Sequence, residues 1–411
     1  MSVVRIINAT VIYPSHPLHK TQQSFDIVDG TLQKVSSREA DKIFDDKEMI
    51  LCPGFFDFHF RTGEPGHEFK ETLRSGSQAA QAGGFTDVLL MPNQTPTTDQ
   101  AGSVLGLKEK TQHLPVNFHI AAALSEKRAG EHLSEFYDMH SAGAVAFTDD
   151  KRGIQDAGLL QRSLLYKKSS SFPILVYSDE KVLAHDGVMN EGVASTKLGL
   201  KGRSGLSEEV HVARNLQIAG YCETSIHLSH ISTARSVELI RNAKKDGIPV
   251  TCSVSLANLL WNEESLSSFD TNYKVLPPLR SEKDRMALIE GVNDGTIDII
   301  ASDHSPQSTE EKFCEFDFAE YGMATSQAFF PLYQTYLSNH ISIETLVEKV
   351  AINPKAVLGL PLSSLEINSE VSFTLLLPEQ KIVFDKTNWK SASKNFTAFG
   401  KELTGLALAI C

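Results

Sequence analysis

Eight short apolar runs occupy residues 54–303 of this 411-residue chain: "GFFDFH", "FTDVLLM", "VNFHIAAAL", "AVAFT", "PILVY", "SIHLSH", "IPVTCSV" and "IDIIASD". Between them lie longer helix-like stretches such as 69–83, 101–112, 156–168, 207–219, 233–246 and 282–294. Strands that alternate with helices pair in parallel, because the helix supplies the crossover that a parallel neighbour needs. Eight such units suggest a closed (β/α)8 barrel. The flanks have another texture. "VVRIINATVIY" and "QSFDIVDGTLQKVS" read as short strands, with Asp29-Gly30 as a hairpin turn. Past about residue 356 the chain returns to strands in "EVSFTLLLPEQKIVFD". The expected architecture is α/β: a TIM-type barrel over 52–355 and a small β-sandwich domain built from 1–51 and 356–411.

Bulk properties narrow the function. A net charge of −12 argues against nucleic acid or an anionic membrane as partner, since both need a cationic footprint. The opening "MSVVRIINATVIYPSH" alternates like a strand and lacks the pattern of a signal peptide. No apolar run approaches the roughly 20 residues that span a bilayer. The expectation is a soluble, cytoplasmic protein. Its five cysteines are odd in number and none are spaced C-x-x-C, so neither a disulfide framework nor a thiolate zinc site is expected.

In a (β/α)8 barrel, chemistry sits at the C-terminal ends of the strands. Strand one ends in Asp57, His59 and Arg61, and strand two leads into "MPNQTP" with Asn93. Strand four ends in Asp149 and Asp150, strand five in Tyr177, strand six in His230, and strand eight in Asp303 and His304. His59, Asp149, His230 and Asp303 are nitrogen and oxygen donors suited to zinc. A single histidine at a strand end is usually structural; four donors at one end of one barrel form a candidate metal site.

The sequence resembles the dihydroorotases of the amidohydrolase superfamily, in particular the bacterial type whose two metals are bridged by aspartate. The matching stretches include "PGFFDFHF", "EPGHEFKET", "AAQAGGFTDVLLMPNQTPTTD", "GAVAFTDD", "GVMNEGVAS", "HLSHISTARSVELIR", "YKVLPPLRSEKDR", "DGTIDIIASDHSP", "NPKAVLGL" and "SKNFTAFGKELTG". They run in order from about residue 50 onward. The resemblance implies a zinc-dependent barrel of pyrimidine biosynthesis that opens or closes the cyclic amide of dihydroorotate. It places metal ligands at His59, Asp149, His230 and Asp303, the catalytic proton carrier at Asp303, and a substrate contact at Asn93.

The same resemblance fails at five positions. The family's second histidine falls on Arg61, and its histidine after strand five on Tyr177. Its substrate-side arginine, asparagine and histidine fall on Gly63, Leu276 and Gln307. Guanidinium stays protonated and has no lone pair, so Arg61 cannot ligate a metal. The expectation is a dihydroorotase-family protein with a degraded metal and substrate site: catalytically impaired or inactive, structural or regulatory, holding no metal or one weakly bound divalent ion. The alternative is an active cyclic amide hydrolase with an altered mononuclear site. Family analogy implies a homo-oligomer and aspartate transcarbamoylase as partner. Arg61 is expected to border the old metal position and pair with Asp303, Asp149 or both. The Tyr177 hydroxyl is expected to bond to His230 or Asp149. His67 and His304 could approach the site.

Overall fold

The computed structural model describes residues 3–46, 48–170 and 172–410. The eight apolar runs are eight parallel strands: Phe55–Phe60, Phe85–Leu90, Asn117–Ala122, Ala144–Phe147, Leu175–Tyr177, Ile226–Ser229, Val250–Ser255 and Ile299–Ala301. The first four pair in order, as do the last four. A parallel bridge from Phe147 to Ile174 joins the two sets. The ring closes where the Arg61 amide donates to the His304 carbonyl at 3.1 Å.

Phe56, Phe58, Leu89, Met91, Ala121, Ala146, Leu175, Ile299 and Ala301 form one buried cluster contributed by strands around the barrel. Helices cover the outside, among them Leu73–Ala82, Ala101–Thr111, Ala157–Lys167, Leu206–Cys222, Ala234–Lys245 and Glu282–Asn293. Their starts follow local chemistry. Thr72, Asp156, Thr233 and Ser281 each cap a helix by accepting an amide hydrogen bond from its first turn.

Seven further strands form one sheet that joins both ends of the chain. Its main order is Glu402–Ile410, Phe373–Val383, Ile50–Pro53, Val3–Val11, Gln22–Val28 and Thr31–Lys34, with Lys42–Phe44 also paired to Val3–Val11. The hairpin expected at Asp29-Gly30 is present: Val28 faces Thr31, and both turn residues have positive φ. The sheet has its own core, which includes Ile6, Phe25, Leu32, Leu51, Phe373 and Leu375.

Cys52, Cys222, Cys252 and Cys314 are free thiols, and Cys411 lies outside the described residues. Among the described residues no helix is long and apolar enough to cross a membrane.

Candidate functional site

Three strand-end residues have left-handed backbones: Asp150 (φ 56°), His230 (φ 56°) and Asp303 (φ 57°). Non-glycine residues adopt this conformation at a cost of about 1–2 kcal/mol, so it persists where the surroundings enforce it. At these positions the chain leaves its strand abruptly at the barrel rim.

Arg61 occupies the centre of the site. Its Nη1 donates to Asp303 Oδ1 at 2.6 Å and to Ser305 Oγ at 2.8 Å. Its Nε donates to the two Asp150 oxygens at 3.1 and 2.9 Å, and Nη2 also donates to Asp150. Lys151 Nζ takes the other Asp303 oxygen at 2.8 Å. The Arg61 and aspartate side chains are 6–9% exposed, so this is a buried ionic network. Burial opposes charge on every member. For Asp150 the Arg61 guanidinium outweighs that effect and holds the carboxyl below its ordinary range. For Asp303 it is Lys151 and Arg61 together that do so. Burial pulls Lys151 down to about 8 despite Asp303.

This geometry bears out the expected pairing at Asp303 and not at Asp149. Arg61 meets Asp303, but its second carboxylate is Asp150, not Asp149. Asp149 is already satisfied: it accepts from the Ser125 amide at 2.9 Å and from Ser125 Oγ at 2.5 Å. Burial raises its carboxyl above the usual range. Tyr177 also departs from expectation, since it makes no hydrogen bond to His230 or Asp149 among the described residues. Its hydroxyl is held far above its ordinary pKa by burial and then by Asp179. The side chain is buried at the end of its strand.

The imidazoles form the other half of the rim. His59 and His230 have ring centroids 4.0 Å apart. His59 Nε2 bonds to Ser253 Oγ at 3.0 Å, while His59 Nδ1 and both nitrogens of His230 are buried without a hydrogen-bond partner. His230 Nε2 lies 3.6 Å from Asp303 Oδ1. Burial holds both rings neutral; for His59 the next cause is His230, and for His230 it is Lys151.

The remaining positions explain themselves locally. Asn93 Nδ2 donates to the Thr62 carbonyl at 3.0 Å, leaving Oδ1 buried and unpartnered. A Cβ on Gly63 would stand 1.8 Å from the His67 carbonyl oxygen, so the loop has closed over the place where a longer side chain would start. Gln307 is spent on Lys70 (2.8 Å) and the Tyr321 carbonyl (2.7 Å). Leu276 precedes a cis proline. His67 bonds Thr95 at 3.1 Å, and buried His304 stacks on Phe60. Asp57 ties strand one to Ser302 across the barrel seam.

A two-metal centre does not fit this donor set. Both Asp303 oxygens already hold cations, Asp149 is occupied by Ser125, and a guanidinium stands where a ligand is needed. Among the described residues no group of three or more His, Cys, Asp or Glu is arranged to hold a metal ion. Residue-type reasoning had missed Lys151, Ser125 and Ser305. The only signal for Lys151 was a cation directly after the "FTDD" strand end.

Comparison with solved structures defines the fold. The chain superposes over its full length on an L-hydantoinase (dihydropyrimidinase) from Arthrobacter aurescens, with TM-score 0.85, 21% identity and 95% of that chain covered. A D-hydantoinase gives TM-score 0.81 at 17% identity, covering 99% of this chain and 94% of that one. The fold is therefore the barrel of those hydantoinases with an additional sheet built from both ends of the chain. Sequence places it more narrowly. The dihydro-orotase-like family model matches residues 48–236. A dihydroorotase of Acetivibrio thermocellus is 38% identical over 398 residues, 95% of this chain and 93% of the relative. One of Thermus aquaticus is 40% identical over 366 residues, covering 87% and 86%. The chain belongs to the dihydroorotase family of pyrimidine biosynthesis.

Proposed function

We propose that this chain is a dihydroorotase-family protein whose centre no longer supports hydrolysis and which serves pyrimidine biosynthesis as a structural or regulatory component. The observation that carries this reading is the Arg61 guanidinium seated between Asp150 and Asp303. A general base must be free to accept a proton at working pH. Asp303 instead has both oxygens engaged by cations and a carboxyl held below its ordinary range. The substrate side matches: Gly63 has no room for a side chain, and Gln307 is tied to its neighbours. At these two positions an anionic substrate meets no charge-assisted donor, which weakens its binding there. On this reading the chain divides into a 52–355 barrel and a domain of 1–51 with 356–411. It works in the cytoplasm as a homo-oligomer or beside aspartate transcarbamoylase.

One observation favours the alternative of a mononuclear hydrolase. His59 and His230 keep three unpartnered ring nitrogens, and neutral imidazole nitrogens are metal donors. The two readings separate in one experiment. Protein purified without chelator is analysed for metal and assayed on dihydroorotate with added zinc. We expect no stoichiometric metal and no turnover; a rate of roughly 1–10³ per second overturns the proposal. Arg61→His alone is expected not to restore activity, because Tyr177 and Gly63 remain.

A further inference from the structure

Beside the closed centre lies a concave pocket of about 420 Å³. Four cationic side chains line it, Arg128, Lys151, Arg152 and Lys181, against two carboxylates, Asp149 and Asp179. In a chain of net charge −12 this is a local inversion of sign.

The carboxylates do not balance the cations. Asp179 is engaged by Arg203 and Ser207, and Asp149 by Ser125. Lys151 has Asp303, but among the described residues Arg128 has only a distant ion-pair partner, with Nη1 3.8 Å from an Asp150 oxygen. Arg61 already claims that carboxylate. Arg128 Nε is buried and has no hydrogen-bond partner. A ligand oxygen at such a donor would relieve its desolvation cost. Arg152 contributes only long contacts, 3.5 and 3.3 Å, to the carbonyls of Lys127 and Arg128. Among the described residues neither Arg152 nor Lys181 forms an ion pair. The loop that brings Arg128 in is held in an unfavourable conformation, with Lys127 at φ 54° and Arg128 at φ 55°. Strained backbone of this kind clusters at binding sites.

We propose that this pocket binds a phosphoryl-bearing small molecule. Guanidinium groups pair with oxyanions through parallel hydrogen bonds, and two arginines with two lysines suit a compact ligand of charge −2 or more. The proposal rests on the reading that Arg61 fills the metal position, because a metal there would draw Asp303 and Lys151 into a different arrangement.

Titration calorimetry with pyrophosphate, and separately with citrate, tests it at constant ionic strength on the full chain. We expect one pyrophosphate per chain, tighter than citrate, with a matching rise in Tm. In R152A/K181A, whose altered side chains are exposed, binding should weaken at least tenfold while the unliganded Tm is kept. Pyrophosphate binding unchanged in that variant overturns the site. Absence of binding to the parent chain at millimolar pyrophosphate overturns it as well, and tighter citrate overturns the phosphoryl assignment. Metal analysis of the same sample reports separately on the Arg61 reading: stoichiometric metal refutes that reading, whereas loss of the pyrophosphate site in a metal-free sample leaves it intact.

Discussion

The two halves of the barrel rim settle their polar atoms in opposite ways. In the carboxylate half, Arg61 and Lys151 supply a charged donor to each oxygen of Asp303, and Arg61 binds both oxygens of Asp150. In the imidazole half, three of the four ring nitrogens of His59 and His230 have no partner. The difference follows from charge. Two carboxylates in a dry pocket without a counterion repel, and one must take up a proton. A neutral imidazole carries no such demand, and its unmet hydrogen bonds cost about 1–3 kcal/mol each at most. Fixed charge in a buried site forces compensation, whereas neutral polarity can persist without it.

The largest test of this contrast is Arg61→Ala. It takes Asp150 from its principal cation and leaves Asp303 with Lys151 alone, and the expected loss is about 3–5 kcal/mol of unfolding free energy, read by denaturant titration. A loss below about 1 kcal/mol, the scale of an exposed ion pair, would show that solvent already balances the carboxylates.

A second test sets the orphaned His230 against a fully bonded imidazole. His211 Nδ1 accepts from the Asp179 amide at 2.9 Å, and Nε2 donates to the Ile154 carbonyl at 3.0 Å. The first bond requires a ring without a proton on Nδ1, whereas donation to Ile154 survives protonation. Burial, reinforced by the nearby Arg214, lowers its pKa to about 4. In the unfolded chain the ring titrates near 6.5, so between these values the unfolded state binds more protons. The stabilisation is therefore complete above about pH 6.5 and is lost progressively as pH falls toward 4. The expected loss attributable to His211 is on the order of 2 kcal/mol between pH 7 and 5. In His211→Gln that part of the pH dependence should disappear.

The smallest effect is expected at His230→Leu. Replacing a buried ring that has no hydrogen bonds with an aliphatic side chain removes unsatisfied atoms and keeps most of the packing. Stability should change by no more than about 1 kcal/mol in either direction. A loss comparable to that of Arg61→Ala would mean that the imidazole half is as tightly integrated as the carboxylate half.

Much of the scaffold is legible from residue order alone. Each apolar run became a strand, because short runs rich in β-branched and aromatic residues between helical segments have few other uses. The Asp29-Gly30 hairpin is local chemistry and was equally readable. The site was legible as a set of positions but not as a set of bonds. Asp149 and Asp150 are adjacent, and which one meets Arg61 depends on the left-handed turn at Asp150 and on Ser125 reaching Asp149 from another loop. Neither is encoded in the local pattern. The Tyr177 hydroxyl was misplaced for a similar reason: the strand pattern fixes where the side chain starts and not which partner its far end meets.

The shared sheet has a consequence for biosynthesis. Strand Ile50–Pro53 leaves the ribosome early, yet Phe373–Val383, which lies against it, follows about 320 residues later. At roughly 5–20 residues per second, Ile50–Pro53 waits on the order of 16–64 seconds for this neighbour. During that interval the apolar side chains of the first strands have no permanent cover. The sheet is complete only once Phe373–Val383 pairs with Ile50–Pro53 and Glu402–Ile410 pairs with Phe373–Val383.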